Sequence, residues 1–388
     1  MMVANNHSSI MSLSDIKLAV FMSRATPLSR WAIKALFERE TAIYKRLAQQ
    51  IGGLSIVTSG GEEELVFQKR LPGVEILYNR WGLSPNIYSL LAPILHRHAL
   101  RKATIYKTNQ LDGAWTAILA GKLHRRPVIL RAGYPWAKNF RRENGDSIKT
   151  TLIEKLEAFS IKQANACMFS TPAMKQYSVQ HYECDPEKIH IFPNYVDTHT
   201  FHPLENADKI PGRLCFIGRL VPVKNIPLLI EAVAQIPDVS LQLIGAGDQR
   251  SALEEIAKTK KAEVLFSGTI PHPQLPVQIN RAEVFILASQ YEGHPKALIE
   301  AMSCGAAVIG TDVEGISEVI QHRKTGLLCQ PDVESIRNAI RELLANPALR
   351  AKLGRNARQF ALENYALDNI VRREMELYQS VALAYSRS

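Results

Sequence analysis

The stretch EVFILASQYEGHPKALIEAMSCGAAVIGTD, residues 283–312, decides how this chain is read. Residues 283–289 form an apolar run, a polar turn follows, a helical pattern begins near Pro295, and residues 306–312 form a second apolar run. Run, turn, helix, run is a βαβ unit, whose strands lie buried in a parallel sheet with a right-handed crossover. Pro295 suits the first turn of a helix. Lys296 also falls in that turn, where the helix dipole disfavours a cation. An anion bound by the free N–H groups and the ammonium resolves the conflict. Glu292 lies in the turn and Glu300 more than a turn into the helix. Two readings stay open: both carboxylates enter one cleft, or Glu300 is a surface partner of Lys296 at i,i+4, in the weaker charge order.

The same rhythm extends outward in both directions. Upstream, candidate strands are 17–23, 54–59, 74–79, 103–109, 127–133, 166–171 and 188–194, with helical segments such as 112–124 and 147–164 between them. A second series runs 213–219, 239–247, 263–268, 283–289, 306–312 and 325–331, with helices such as 225–236 and 294–304. Between the series, residues 195–212 lose the rhythm and are punctuated by Pro203, Pro211 and Gly212, as a linker is. The expected class is α/β: two doubly wound Rossmann-like domains facing each other across a cleft, with ligand at the strand C-termini. A length of 388 residues suits two domains. The expected boundaries are 1–198 for the first domain, 199–212 for the linker and 213–365 for the second. The last helical stretch, 366–388, is expected to pack back on the first domain.

Composition narrows the class. At 46% hydrophobic and 22% charged the chain is ordinary globular protein. No apolar run approaches the roughly 18 residues of a spanning helix. The N-terminus, MMVANNHSSIMSLSDIK, has neither the basic nor the apolar region of a signal peptide. Cys167, Cys184, Cys215, Cys304 and Cys329 are scattered without a C-x-x-C pair, so neither a disulfide framework nor a zinc site is expected and a cytoplasmic location is. Residues 1–209 carry 27 Lys and Arg against 18 Asp and Glu, whereas 210–388 carry 20 against 19. Nearly all the net charge of +10 therefore sits in the first half. Such a surface suits anionic lipid, a phosphorylated acceptor or nucleic acid, or is simply solvated. No recognition motif supports nucleic acid.

Other residues add cations to the turn at Glu292. The run 213–219 ends in Gly218-Arg219, and Lys224 follows just before a helix. An Arg binding bidentately and a Lys acting as a point charge suit a diphosphate. The next strand ends LIGAGD (243–248), where Gly245 and Gly247 permit close backbone approach. The full G-x-G-x-x-G is missing, so a hydride-transfer enzyme is a poor reading.

These pieces, in this order, resemble the donor-binding half of the family 4 retaining glycosyltransferases (glycosyl transferases group 1), which have the two-domain GT-B fold. The resemblance covers roughly residues 189–345: FPNYVD (192–197), FIGRLVPVKN (216–225), LIGAGD (243–248), FSGTI (266–270), EGHPKALIE (292–300), GAAVIGTDVEGISEVI (305–320) and TGLLCQP (325–331). It implies that Glu292 contacts the donor sugar, Glu300 the ribose hydroxyls, and Arg219 and Lys224 the diphosphate. It also implies that backbone around Ile270 meets the base, and that Gly293, His294, Pro295, Lys296 and Ala297 meet the distal phosphate and sugar. Where the family has Asn, this chain has Lys296. A nucleotide-diphosphate sugar is the only small molecule required; no cofactor or metal is implied, because basic residues and the helix terminus neutralise the leaving group.

The first domain departs further from the family. Its usual Gly-rich turn after the first strand is FMSRATPLSRW (21–31) here, where Ser23, Arg24 or Thr26 substitutes. A frequent His at the end of the fourth strand is replaced by KTNQLDGAW (107–115), which offers Asn109, Gln110 and Asp112. The next strand ends RAGYPW (131–136), with Arg131 and Tyr134. Strand ends are where ligands gather in such domains, so these residues are expected to see donor sugar or acceptor. Asp112 reads equally well as a turn and cap residue of the helix that starts there. Stretches 28–50, 79–102 and 135–144 mix cations with Trp, Tyr, Leu and Ile. They are read either as a peripheral face for an anionic membrane carrying a lipid-linked acceptor or as core-facing helices with a solvated basic side. The expected activity is retaining transfer of a hexose-type sugar to a glycan or lipid-linked acceptor in cell-surface polysaccharide, lipopolysaccharide or glycoconjugate synthesis. A sugar-nucleotide epimerase or hydrolase on the same architecture is one alternative. A non-catalytic sugar-nucleotide-binding subunit is another.

Overall fold

The computed structural model describes residues 11–205 and 207–387. The first ten residues of the stretch lacking a signal-peptide pattern lie outside the described residues. Every apolar run expected as a strand is one. The first sheet comprises β1 (Lys17–Phe21), β2 (Gly53–Val57), β3 (Val74–Leu77), β4 (Ile105–Thr108), β5 (Val128–Ala132), β6 (Ala166–Phe169) and β7 (Ile189–Ile191). Its order is β3-β2-β1-β4-β5-β6-β7, all parallel. The second comprises β8 (Arg213–Ile217), β9 (Ser240–Ile244), β10 (Glu263–Gly268), β11 (Val284–Leu287), β12 (Ala307–Thr311) and β13 (Leu327–Cys329). Its order is β10-β9-β8-β11-β12-β13, again all parallel. Helices cover both faces of a parallel sheet, which is why these strands are continuous apolar runs rather than alternating ones. All five residues of β9, and all five of β12, are buried.

In each sheet the strand order reverses once: between β1 and β4 in the first, between β8 and β11 in the second. At such a switch point successive crossovers leave in opposite directions and open a crevice at the strand C-termini. The loops that carry the candidate residues of the second unit leave the C-terminal ends of β8, β9, β10 and β11. Those of the first unit leave β4 and β5.

The chain divides into two compact units, one running through Phe192 and resuming at Val371, the other Pro193–Ile370. Residues 199–212, read as a linker from their Pro and Gly content, lie within the second unit. Phe201 is fully buried and its carbonyl accepts a hydrogen bond from Ser303 Oγ at 2.6 Å. Asn280 fixes both sides of the next turn, accepting from Leu204 N at 3.0 Å and donating to the His202 carbonyl at 3.0 Å. The final helix, Leu367–Arg387, counts with the first unit from Val371 onward. Segment 28–50 folds as helices Leu28–Ile33 and Phe37–Ala48, with Phe37, Ile43, Tyr44 and Leu47 buried. Of the two readings of that segment, the core-facing one describes these side chains. All five cysteines are free, four of them buried. Among the described residues no helix is long and apolar enough to cross a membrane.

Candidate functional site

In the second unit the two sides of the switch point are stitched together. The loop after β8 reaches Lys224, and the loop after β11 reaches Glu292. The Lys224 ammonium forms a close ion pair with Glu292 Oε1, and Ser289 Oγ donates to the same oxygen at 2.6 Å. The backbone supports this contact, since Gln290 N donates to the Val223 carbonyl at 2.8 Å. Lys224 and Glu292 are 16% and 12% exposed, so the pair is held out of bulk water yet open on one side. Arg219 is exposed and makes no ion pair among the described residues. One bound-in cation and one free cation therefore follow the same strand.

The turn bearing Glu292 is shaped from behind. Glu292 N donates to the Glu314 carbonyl at 2.9 Å. Gly315 has φ +85, and a Cβ there would come within 2.3 Å of the Glu292 carbonyl oxygen. The glycine in DVEGIS thus lets the loop after β12 press on the turn after β11. Helix Lys296–Ser303 then starts behind Pro295 with no side-chain cap. Lys296 lies with its ammonium 5.6 Å from the centre of the Tyr195 ring. His294 is buried, its ring edge-on to Tyr365 at 5.0 Å, and its carbonyl accepts from Asn194 Nδ2 at 2.7 Å. Gly293 and Ala297 are half-buried on either side of it.

Glu300 is 1% exposed, which rules out its reading as a surface partner of Lys296. Its Oε1 lies 2.9 Å from His272 Nε2, a hydrogen bond between the two side chains. His272 is itself packed on Phe201, ring centroids 4.8 Å apart. Ile270, two residues earlier, is half-buried against the core. Gly245, at the end of β9, has φ +142, and a Cβ there would fall 1.9 Å from the Gly218 carbonyl oxygen. The turns after β8 and β9 thus touch backbone to backbone, as only glycine permits. His272 and Ser289 were not singled out from sequence. Position was the available signal: each closes or follows a loop at the carboxyl end of a strand.

The first unit repeats the device with different consequences. Across its switch point Arg24 NH2 pairs with Asp112 Oδ1 at 3.1 Å, and Arg24 N donates to the Asp112 carbonyl at 3.2 Å. Burial raises the Asp112 carboxyl and Arg24 opposes the shift. Of the turn and cap roles read for Asp112, the structure shows the turn: it lies inside Leu111–Gly113, and the helix Ala114–His124 has no side-chain cap bond. Asn109 Oδ1 accepts from Tyr44 OH at 2.8 Å. Arg131 NH1 donates to the Phe192 carbonyl at 2.5 Å. Beneath them lies a buried set the sequence did not reveal. Lys107 Nζ is 2.5 Å from Glu374 Oε2 and 3.0 Å from Tyr378 OH, on the last helix. Burial lowers the Lys107 ammonium, against the pull of Glu374. Glu64 is a second such residue: its carboxylate accepts from Leu28 N and Ser29 N, both at 2.8 Å, and so occupies the start of helix Leu28–Ile33.

Two doubly wound units with charged groups gathered at each switch point define the GT-B class of sugar-transfer proteins. Residues 198–360 match the model of glycosyl transferases group 1, and residues 41–200 match that of Glycosyltransferase Family 4. The chain belongs to this glycosyltransferase family. Alpha-maltose-1-phosphate synthase from Mycobacterium tuberculosis strain CDC 1551 is 27% identical over 326 residues, covering 76% of this chain and 83% of the relative. N-acetyl-alpha-D-glucosaminyl L-malate synthase from Bacillus anthracis is 30% identical over 184 residues, 46% of this chain and 47% of the relative. The fold is shared with HepE from Anabaena, solved with UDP and glucose (TM-score 0.77, 17% identity, 94% of this chain and 100% of that one). It is shared equally with sucrose-phosphate synthase from Thermosynechococcus elongatus (TM-score 0.78, 19% identity, 95% and 100%).

Proposed function

We propose that this glycosyltransferase uses a nucleoside-diphosphate sugar bound by the second unit and transfers the sugar with retention to a glycan or lipid-linked acceptor of cell-surface polysaccharide, lipopolysaccharide or glycoconjugate synthesis. The observation that carries the reading is the meeting of Lys224 and Glu292 across the switch point, with Arg219 exposed after the same strand. Arg219, Lys224 and backbone of the turn Gly293–Ala297, where Pro295 lacks an N–H, hold the diphosphate, with Lys296 adding a positive charge near the same turn. Glu292 holds the sugar. Glu300, oriented by His272, takes the ribose hydroxyls, and backbone at Ile270 and Gly245 borders the base. Asn109, Asp112 and Arg131 serve the first unit's share of donor sugar or acceptor.

In the reaction the bond from the anomeric carbon to the diphosphate oxygen breaks, and the electron pair leaves with the diphosphate. The acceptor hydroxyl attacks from the same face, and its proton passes to a phosphate oxygen of the leaving group. The cations stabilise charge that grows on the leaving group, where preorganised donors act most strongly. The scheme draws on no metal. Retention is supported by relatives named for α-linked products, among them a poly(ribitol-phosphate) alpha-N-acetylglucosaminyltransferase; from an α-linked donor such a product is net retention.

The test begins with a panel of nucleoside diphosphates and their sugars read by thermal shift, since a ligand of the native state raises the unfolding temperature. The best donor is then incubated with and without candidate acceptors, and the anomeric configuration of the product is read by NMR. Acceptor-dependent product of retained configuration is expected. Sugar release or epimerisation without acceptor points instead to hydrolase or epimerase chemistry, and donor binding with no turnover to a binding subunit. A Glu292→Ala enzyme with normal turnover refutes the assignment of Glu292.

A further inference from the structure

Three neighbouring helices of the first unit are apolar on the side that faces solvent as well as on the side that faces the sheet. Helix Pro85–Leu95 buries Tyr88 and Ala92 yet exposes Ile87, Leu90 and Ile94, one stripe at i, i+3, i+7. Helix Ala114–His124 buries Ala117, Ile118 and Ala120 and exposes Leu119 and Leu123, with Lys122 between them. Helix Ile148–Gln163 buries Ile153 and Ile161. Its outer stripe reads Ile148, Leu152, Lys155, Phe159, Lys162, with Ile148 92% and Leu152 65% exposed. The first of these helices packs on the second and the second on the third. The Lys122 ammonium lies 5.6 Å from the Phe159 ring centre, so the last two stripes are continuous.

Charge on this face has one sign. The exposed charged side chains of these three helices are Lys122, Lys149, Lys155 and Lys162, all cations. The first two helices carry no acid at all. The third carries Glu154, paired with Arg141 and His181, and Glu157, which is buried. Large apolar side chains interleaved with unopposed cations are the pattern of a surface that inserts shallowly into a bilayer and is held there by anionic headgroups. Self-association through the same face would set one cationic surface against another.

We propose that the outer face formed by helices Pro85–Leu95, Ala114–His124 and Ile148–Gln163 docks on an anionic lipid bilayer. The segments 28–50 and 135–144, marked from sequence for this role, are not part of it. The proposal is independent of the donor site.

The experiment is flotation of the full chain with vesicles of phosphatidylcholine alone or mixed with equal phosphatidylglycerol, at low and high salt. Binding is expected to the anionic vesicles only, weakened by salt. The exposed triple Leu90→Ser, Leu123→Ser, Leu152→Ser should lose more than about tenfold in partitioning. The pair Lys122→Ser, Lys155→Ser should lose about fivefold per cation, roughly 25-fold together. Retained nucleoside-diphosphate thermal shifts show that both variants are folded; if the triple variant does not fold, the charge pair decides. Wild-type protein that stays off anionic vesicles at low salt overturns the proposal. So does equal binding to neutral vesicles, variants that float like wild type, or a concentration-dependent dimer abolished by the same substitutions in a chain that binds no vesicle.

Discussion

Replacing Glu292 by Gln should move donor binding and turnover in opposite directions. The Lys224 ammonium is committed to Glu292, which Ser289 also holds at 2.6 Å. A diphosphate that recruits Lys224 must first loosen that pair. Its exposure lies between the surface case, about 0–1 kcal/mol, and the buried case, about 3–5 kcal/mol, so loosening costs about 1–3 kcal/mol. At about 1.4 kcal/mol per tenfold, Glu292→Gln should tighten binding of the preferred nucleoside diphosphate about 5- to 150-fold. The same change removes the carboxylate from the sugar and should lower transfer by about 100-fold or more. Isothermal titration with UDP and GDP gives the first quantity and chromatographic product formation the second. Lys224→Met should weaken binding, and in the Lys224→Met background the gain from Glu292→Gln should vanish, which a double-mutant cycle reads directly. Unchanged or weaker diphosphate binding by Glu292→Gln would falsify the competition; normal turnover removes Glu292 from the chemistry.

Arg219→Ala, at an exposed side chain, should leave unfolding within about 0.5 kcal/mol of wild type and weaken diphosphate binding about tenfold, a split visible in paired urea and titration curves. Gly245→Ala should cost stability by about 1–3 kcal/mol from its backbone conformation alone, with the collision at Gly218 adding to it; a variant as stable as wild type in urea contradicts the contact. Removing Glu374 as Gln should strand the buried Lys107 ammonium and cost about 3–5 kcal/mol, most of which Lys107→Met together with Glu374→Leu restores. Glu157, buried at the start of helix Trp136–Asn144, is raised by that burial from an ordinary 4.5 to about 7. Between those values the folded state keeps a proton that the unfolded chain has lost, so stability falls as pH rises through the window, by up to about 3 kcal/mol. Urea titrations of Glu157→Gln on both sides of the window should lack that slope.

The strands were legible because parallel strands are apolar runs long enough to stand out against the helices between them. The turn at 289–297 was legible for a different reason: a cation at a helix start is a local conflict, and local conflicts show in sequence. What stayed hidden was long-range pairing. Phe201, fully buried, and Asn280, bonded to Leu204 and His202, tie residues 199–212 to the second unit, but Pro203, Pro211 and Gly212 spoke only of turns. Glu374 and Tyr378 lie on the last helix, and nothing in the polarity of VRREMELYQS (371–380) marks which carboxylate will meet Lys107 across 267 residues of chain. Asp112 was read as ligand or cap because both are local roles; its partner, Arg24, follows a different strand.

The two switch points explain why the donor is assigned to one unit rather than shared alike. Both are bridged by an ion pair, Arg24 with Asp112 and Lys224 with Glu292. In the first unit the helix that follows β1 already has an anion: Glu64 accepts from Leu28 N and Ser29 N, is fully buried, and is held in addition by Thr58 Oγ1 at 2.8 Å. A phosphate has no vacant N–H groups to meet there, and it would face a buried carboxylate. In the second unit the segment after the matching strand, β8, carries two cations instead, Arg219 exposed and Lys224 held by Glu292. The same position after the first strand therefore holds a built-in anion in one unit and positive charge in the other. Substituting Glu64 by Gln should accordingly disturb the first unit's stability, measured in urea, while leaving diphosphate affinity in place; a loss of diphosphate binding equal to that of Lys224→Met would place the donor anion in the first unit instead.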